Sequence, residues 1–241
     1  MGNIPIYGYA LRESYTGSVD ALLPLMQQRN RRQLRNAEDA YDFAEIHAKL
    51  AEKTSRDFVE QQAAALGVTF AALEALSPVA LTYGGDTVLA YPEFNGSAQV
   101  TGMAHRCTDG TKKALKGSHR GIYIPKTFLN FDGPIYCCEG PSDTAALLTM
   151  GLAAVGRPSA FGGIQHLTTL FGKLPVDRKV VILGENDRKD DGRWPGREAA
   201  VKLASMIEEV LERSIDVALP PEGFKDVRDW LLKHNDTEGG K

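Results

Sequence analysis

Pro134-Ile135-Tyr136-Cys137-Cys138-Glu139-Gly140 and Val180-Val181-Ile182-Leu183-Gly184-Glu185-Asn186-Asp187 decide the fold. Each is a short apolar run that stops abruptly on carboxylates, the pattern of a buried strand whose end is exposed. In an open parallel sheet, ligands collect outside the carboxyl ends of the strands. Acids delivered there by two strands can therefore converge on one point. Convergent carboxylate oxygens are hard donors that suit Mg²⁺ or Mn²⁺.

Glu139 and Glu185 are read differently at the local level. Gly140 lets the chain turn sharply and leaves Glu139 at the sheet edge, with Ser142 or Asp143 expected to cap the next helix. Taken alone, Glu139 reads equally well as a helix-capping or solvent-facing glutamate. Glu185 and Asp187 lie two apart, so in extended backbone their side chains point the same way while Asn186 points elsewhere. Their repulsion makes a divalent cation a natural partner. Asp190 and Asp191, in the loop Arg188 to Pro195, leave a further ligand and a solvated acidic loop both open.

Working outward, residues 132–241 alternate strand and helix. Strands are predicted over 134–138, about 152–156, 179–184 and 214–219, with helices at about 142–150, 163–171 and 196–212. Such alternation favours a parallel sheet flanked by helices. Lys225 to Leu232 reads as a last amphipathic helix, and Asn235 to Lys241 as a frayed tail. Residues 79–131 change character: Thr87 to Tyr91 and Gln99 to Arg106 are β-type runs divided by Asn95-Gly96 and Asp109-Gly110 turn signals, predicting a small antiparallel unit. Gly121 to Pro125 is a further short run leading to the first acidic strand. Residues 1–78 are predicted helical, with a helix from Ala37 to Leu66 broken near Thr54-Ser55, a stop at Gly67 and a short helix capped by Thr69. Residues 1–36, ending in Arg29, Arg31, Arg32 and Arg35, read as an arm or a partner-dependent helix.

Composition narrows the classes. Of 241 residues, 43% are hydrophobic and 24% charged, with no apolar run near a membrane span and no signal peptide, so a cytoplasmic protein with no membrane partner is expected. Cys107, Cys137 and Cys138 form no CxxC pair, which argues against a zinc ribbon or a disulfide framework. The formal net charge of −3 argues against a surface coated in positive charge. Lys112, Lys113, Lys116, His119, Arg120 and Lys126 nonetheless cluster with only Asp109 nearby. As a bare charge run this is a solvated loop first; beside a metal site it can hold phosphates. His105 and His119 lack paired ligand spacing, and Gly162-Gly163 is followed by no Lys-Ser/Thr, so neither a histidine metal site nor an ATPase motor is expected. Tyr123 reads as a base-stacking or a structural strand residue, and Trp194 and Trp230 as packing residues.

The combination of Tyr136-Cys-Cys-Glu139-Gly140, Val180-Val-Ile-Leu-Gly-Glu185-Asn-Asp187, Gly196-Arg197-Glu-Ala-Ala and Lys225-Asp226-Val-Arg-Asp-Trp230 resembles the TOPRIM domain shared by topoisomerases and primases, over about Asp132 to His234. Upstream, Tyr91-Pro-Glu-Phe-Asn-Gly, Gly102-Met-Ala-His-Arg106, Asp109-Gly-Thr-Lys-Lys113 and Lys116 to Pro125 look like the N-terminal subdomain of DnaG-like primases carried by phages and mobile elements. The resemblance implies an α/β fold: a TOPRIM-type parallel sheet over 132–241, preceded by a small α+β primase-like subdomain over 79–131. It implies a DNA primase, a nucleotidyltransferase with DNA-directed RNA polymerase activity that makes short primers on single-stranded DNA. Glu185 and Asp187 would hold Mg²⁺ or Mn²⁺, and Glu139 would act as general base or complete the metal site. Arg106, Lys112, Lys113 and Lys116, with Arg120 and Lys126 behind them, would contact nucleotide or template. Implied partners are single-stranded DNA, nucleoside triphosphates and a replicative helicase supplied by another chain.

Two positions depart from the family pattern. Glu185 stands where the family has the first Asp of Asp-x-Asp, and Arg188 to Pro195 looks inserted ahead of Gly196. Many primases select a template with a zinc module, which has no counterpart here, so template selection falls to another chain or this is an accessory member. The alternatives are a TOPRIM metallonuclease using the same acids, and a noncatalytic replication adaptor that binds nucleic acid.

Overall fold

The computed structural model describes residues 41–238. The predicted break in the first helix is built by two caps. Helix α1 (Phe43–Lys53) begins at Asp42, whose carboxylate accepts from the Glu45 N–H, and ends at Thr54. Helix α2 (Arg56–Leu66) restarts on Ser55, whose hydroxyl accepts from the Phe58 N–H, and stops at Gly67 in the left-handed region with φ +70°. Thr69 caps the short α3 (Phe70–Glu74). The arginines at 29, 31, 32 and 35 lie outside the described residues.

Two four-stranded sheets follow. Strands β1 (Val79–Tyr83), β2 (Asp86–Phe94), β3 (Val100–Arg106) and β4 (Lys112–Ala114) are antiparallel neighbours in sequence order. One face of this sheet takes α1, through Phe43, Ile46 and Leu50 against Val79, Ala90 and Met103. The other face sends Leu89 and Tyr91 into the main core.

The second sheet carries the acids. It is built from β5 (Ile135–Glu139), α4 (Pro141–Thr149), β6 (Ala153–Arg157), α5 (Ile164–Phe171), β7 (Val180–Leu183), α6 (Pro195–Leu211), β8 (Asp216–Ala218) and α7 (Val227–Glu238). All four strands are parallel, in the order β6-β5-β7-β8. Alternation sorts the side chains: Cys137 and Ile182 face α5 and α6, whereas Cys138, Val181 and Leu183 face α4 and α7. Helix α7 runs to Glu238, beyond the point at Asn235 where fraying was expected. Among the described residues no helix is long and apolar enough to cross a membrane.

Because β5 feeds β6 on one side and pairs with β7 on the other, the chain switches direction between β5 and β7. The crevice above that point is where open α/β sheets bind ligands.

Gly121 to Pro125 joins the sheets. Ile122 bridges to Phe94 at the end of β2, and Tyr123 bridges to Gly156 in β6. A Cβ on Gly121 would stand 2.4 Å from the Phe94 carbonyl oxygen, closer than any side chain tolerates. Gly121→Ala therefore forces the joint apart and is expected to lower the unfolding free energy by about 1–3 kcal/mol. Urea denaturation of the variant beside the native chain measures this.

Candidate active site

Glu139 is the last residue of β5, and Gly140 after it turns the chain with φ +84°. The Gly140 N–H donates to the Arg157 carbonyl at 2.8 Å, and Pro141 opens α4 without any side-chain cap. Neither Ser142 nor Asp143 caps that helix, contrary to expectation. Proline at the first position already removes one donor that a cap would satisfy. Asp143 points inward, 6% exposed. Its proton affinity is pushed up to about 7, first by burial and then by the charges of Asp226 and Glu185, while Arg228 opposes the rise through its charge and its backbone N–H.

Glu185 sits just past β7, where Gly184 N–H donates to the Ala218 carbonyl. Burial raises its pKa, Glu139 raises it further, Lys225 opposes, and Asp226 and Asp187 add to the rise. Asp187 accepts from the Gly196 N–H at 2.7 Å and lies 3.7 Å from the Lys189 ammonium.

Asn186 between them points away, as the spacing predicts, and has its own task. Its amide nitrogen donates to the carbonyls of Pro220 and Phe224, its oxygen accepts from both Nε and Nη2 of Arg197, and its backbone N–H donates to the Lys225 carbonyl. This ties the segment before α7 to the end of β7 and brings Asp226 to the site. Asp226 also accepts from the Asp229 N–H.

Five carboxylates from four places in the sequence thus feel one another: Glu139, Asp143, Glu185, Asp187 and Asp226. Sequence reading singled out three. Asp143 was read only as a cap, and Asp226 as part of a helix and of one TOPRIM-like motif, with no role at the site. The signal available for both was an acid in the first turn, or just ahead, of a helix that follows an acidic strand end.

Among the described residues, no three His, Cys, Asp or Glu side chains already stand grouped as metal ligands. The donor chemistry nevertheless fits a hard divalent cation. Every donor is a carboxylate, and of the two causes that hold Glu185 above its ordinary range, burial first and then repulsion from its acidic neighbours, the second is relieved by positive charge.

The basic stretch is divided by the pleat of β4. Lys112 reaches toward Glu139, with Nζ 3.9 Å from Oε1. Lys113 turns to the opposite face, with its ammonium 3.5 Å from the Tyr83 hydroxyl. Arg106, Lys112, Arg120 and Arg228 line a cavity of about 340 Å³ whose apolar wall includes Leu66, Leu89, Tyr91 and Tyr123. Pro141 and Ser142, directly after Glu139, form its edge toward the acids. Lys116 and Lys126 are exposed and stand outside the lining of this cavity. Arg120 is largely committed elsewhere, forking onto fully buried Glu93 at 2.8–3.0 Å. Tyr123 donates to the same carboxylate, which makes it a structural strand residue. His105 is buried against Tyr83 and His119 is exposed, both away from the acids. Trp194 precedes α6 with the Arg197 guanidinium 3.6 Å over its ring, and Trp230 is buried.

No protein-family model matches the sequence. No curated protein matches it either. Solved structures do. The Escherichia coli primase catalytic core shares 14% identity, with a TM-score of 0.57 over 78% of this chain and 74% of its own. A DnaG primase catalytic domain bound to single-stranded DNA gives 0.57 at 15% identity, covering 88% and 81%. The primase fragment of the bacteriophage T7 primase-helicase gives 0.51 at 16% identity, covering 73% and 69%. This chain has the fold of a primase catalytic core.

The raised Asp143 carboxyl has a consequence for stability. Between its unfolded value of 3.8 and its folded value of about 7, the folded chain holds a proton that the unfolded chain releases. Its contribution is therefore greatest below the lower value and is lost as pH rises through the upper one. Asp143→Asn should match the native chain near pH 4 and become progressively more stable relative to it up to pH 7, with no further gain above. Denaturant titrations of both proteins across pH, in chelator, measure the difference.

Proposed function

We propose that this chain is a primase-like nucleotidyltransferase that builds short primers on single-stranded DNA with Mg²⁺ or Mn²⁺. The observation that carries this reading is that the acidic crevice and the basic, aromatic-walled cavity share an edge, with Lys112 belonging to both. A nucleoside triphosphate needs both environments at once: cationic donors for its phosphates and carboxylates that recruit a cation to the reacting one. The primase-core fold supports the reading, as does the single-stranded DNA bound by one neighbour of that fold.

In this mechanism Glu185 and Asp187 hold the cation, and Glu139 completes the site or takes the proton of the attacking 3′-hydroxyl. The cation, when bound, supplies neutralisation of phosphate charge. Arg106, Lys112 and Arg228 hold the triphosphate and face the departing pyrophosphate. The wall formed by Tyr91 and Leu89 receives the base or sugar. The described part of the 1–78 region, from residue 41, and 79–131 then form the roof of the site, and the described part of 132–241, up to residue 238, its acidic floor. Lys113, Lys116 and Lys126, outside the cavity, are assigned to template contacts, and Arg120 to a supporting position behind them. A replicative helicase on another chain is the expected partner, and a phage or mobile element the expected setting.

Incorporation of labelled nucleotides on single-stranded DNA tests the proposal. Glu139→Gln and Asp187→Asn should each lower incorporation by about 10²–10⁴-fold while leaving DNA binding in place. Incorporation unchanged in both variants defeats the assignment. Cleavage of the DNA without incorporation makes the chain a metallonuclease, and neither activity with intact DNA binding makes it an adaptor.

A further inference from the structure

Arg157 ends β6 opposite Glu139 in the parallel register and is 1% exposed. The sequence gives no hint of it, since it simply closes the apolar run Ala153 to Gly156. Its guanidinium crosses the end of β5. Nη1 donates to the Cys137 carbonyl at 2.9 Å and Nη2 to the Leu183 carbonyl at 3.0 Å, while Nε has no partner.

Those two carbonyls mark the place where β5 and β7 part. The ladder between these strands runs through Ile135↔Val180 and Tyr136↔Val181 and stops at Cys137↔Ile182. From there β7 continues along β8, through Leu183↔Ala218. Glu139 lies two residues beyond Cys137, and Glu185 two beyond Leu183. One rigid fork thus takes over where the ladder ends, immediately beneath both acids. A planar guanidinium can span two carbonyls in this way, whereas a lysine ammonium is a point charge on a flexible stem. A buried, permanently charged group with an unpaired nitrogen costs stability, and an apolar residue of similar volume is often as good or better for the fold. The arrangement makes sense where the spacing of the two strand ends has to be fixed.

We infer that Arg157 is a positioning residue that sets the distance between the acid-bearing ends of β5 and β7, and through it the affinity of Glu139, Glu185 and Asp187 for a divalent cation. The second half rests on the metal-dependent reading above; the first does not. Arg157→Met and the milder Arg157→Lys separate the two. In the metal-free chain, hydrogen exchange at the amides of Gly140 and Gly184 to Asn186 should rise about tenfold or more in Arg157→Met, with α5, α6 and β8 unchanged. Manganese binding, followed by electron paramagnetic resonance, should weaken by about 10–100-fold, the range seen for outer residues that orient ligands. Arg157→Lys should fall between. Unchanged exchange at the strand ends in both variants overturns the inference, as does native manganese affinity despite loosened ends. A native chain that binds no manganese defeats the metal reading instead, and the exchange arm still decides whether Arg157 holds the strands.

Discussion

Mutual repulsion among five carboxylates is the constraint around which this molecule is arranged. Glu139, Asp143, Glu185, Asp187 and Asp226 would scatter if left to electrostatics, and each is restrained by something other than a charge partner of equal strength. Asp187 is held by the Gly196 N–H, Asp143 by the Arg228 N–H, and Asp226 by the Asp229 N–H. Backbone donors restrain a carboxylate without cancelling its charge, so the site keeps its negative potential. The three exposed lysines within reach, Lys112 at 3.9 Å from Glu139, Lys189 at 3.7 Å from Asp187 and Lys225 at 3.8 Å from Asp226, are too solvated to neutralise it. Burial then does the rest, raising Glu185 and Asp143 until a cation or a proton becomes the cheapest relief.

That constraint explains why the smaller sheet sits where it does. Lys112 lies on β4, an edge strand, and approaches Glu139 where Ile122 and Tyr123 lock the end of β2 to the edge strand β6. The lock is reinforced from inside: fully buried Glu93 takes hydrogen bonds from Gly121 and Tyr123 in the joining segment and from Arg120 directly ahead of it. One apolar cluster then runs without a break from α2 and α3 through Leu89 and Tyr91 to α4 and α7. The cavity beside the acids is a gap in that shared core, walled by α2, the first sheet, the joining segment and the starts of α4 and α7, and rimmed with arginine.

Most of the second sheet was legible because its signals are local. Short runs rich in apolar residues, alternating with helical stretches, predict every strand from β5 to β8 within two residues. The placement of Glu139 and Glu185 at strand ends was legible too, since each closes an apolar run. What escaped the sequence depends on reach. Asp143 reads as a cap until Pro141 is seen to open the helix and turn the carboxylate inward. Asp226 arrives through Asn186, a contact spanning about 40 positions that no periodicity reports. Lys112 and Lys113 are indistinguishable as charges and differ only by which face of β4 they occupy.

The loop from Arg188 to Pro195 and the glutamate that ends the second acidic run meet at one glycine. A Cβ on Gly196 would stand 2.7 Å from Asp187 Oδ1, 2.8 Å from the Glu185 carbonyl oxygen and 2.9 Å from the Glu185 Cβ. Only a bare backbone lets the start of α6 approach so closely, and that approach aims one of the helix's unpaired N–H groups at Asp187. The loop preceding it closes on itself through the Lys189 N–H and the Arg193 carbonyl. The loop is therefore mostly exposed and leaves Gly196 against Asp187 at the strand end. With Asp187 fixed by the helix, the longer arm of Glu185 is the adjustable member of the pair. Its carboxylate stays within electrostatic reach of Glu139 and Asp226, so the ends of β5 and β7 and the start of α7 share one acidic crevice.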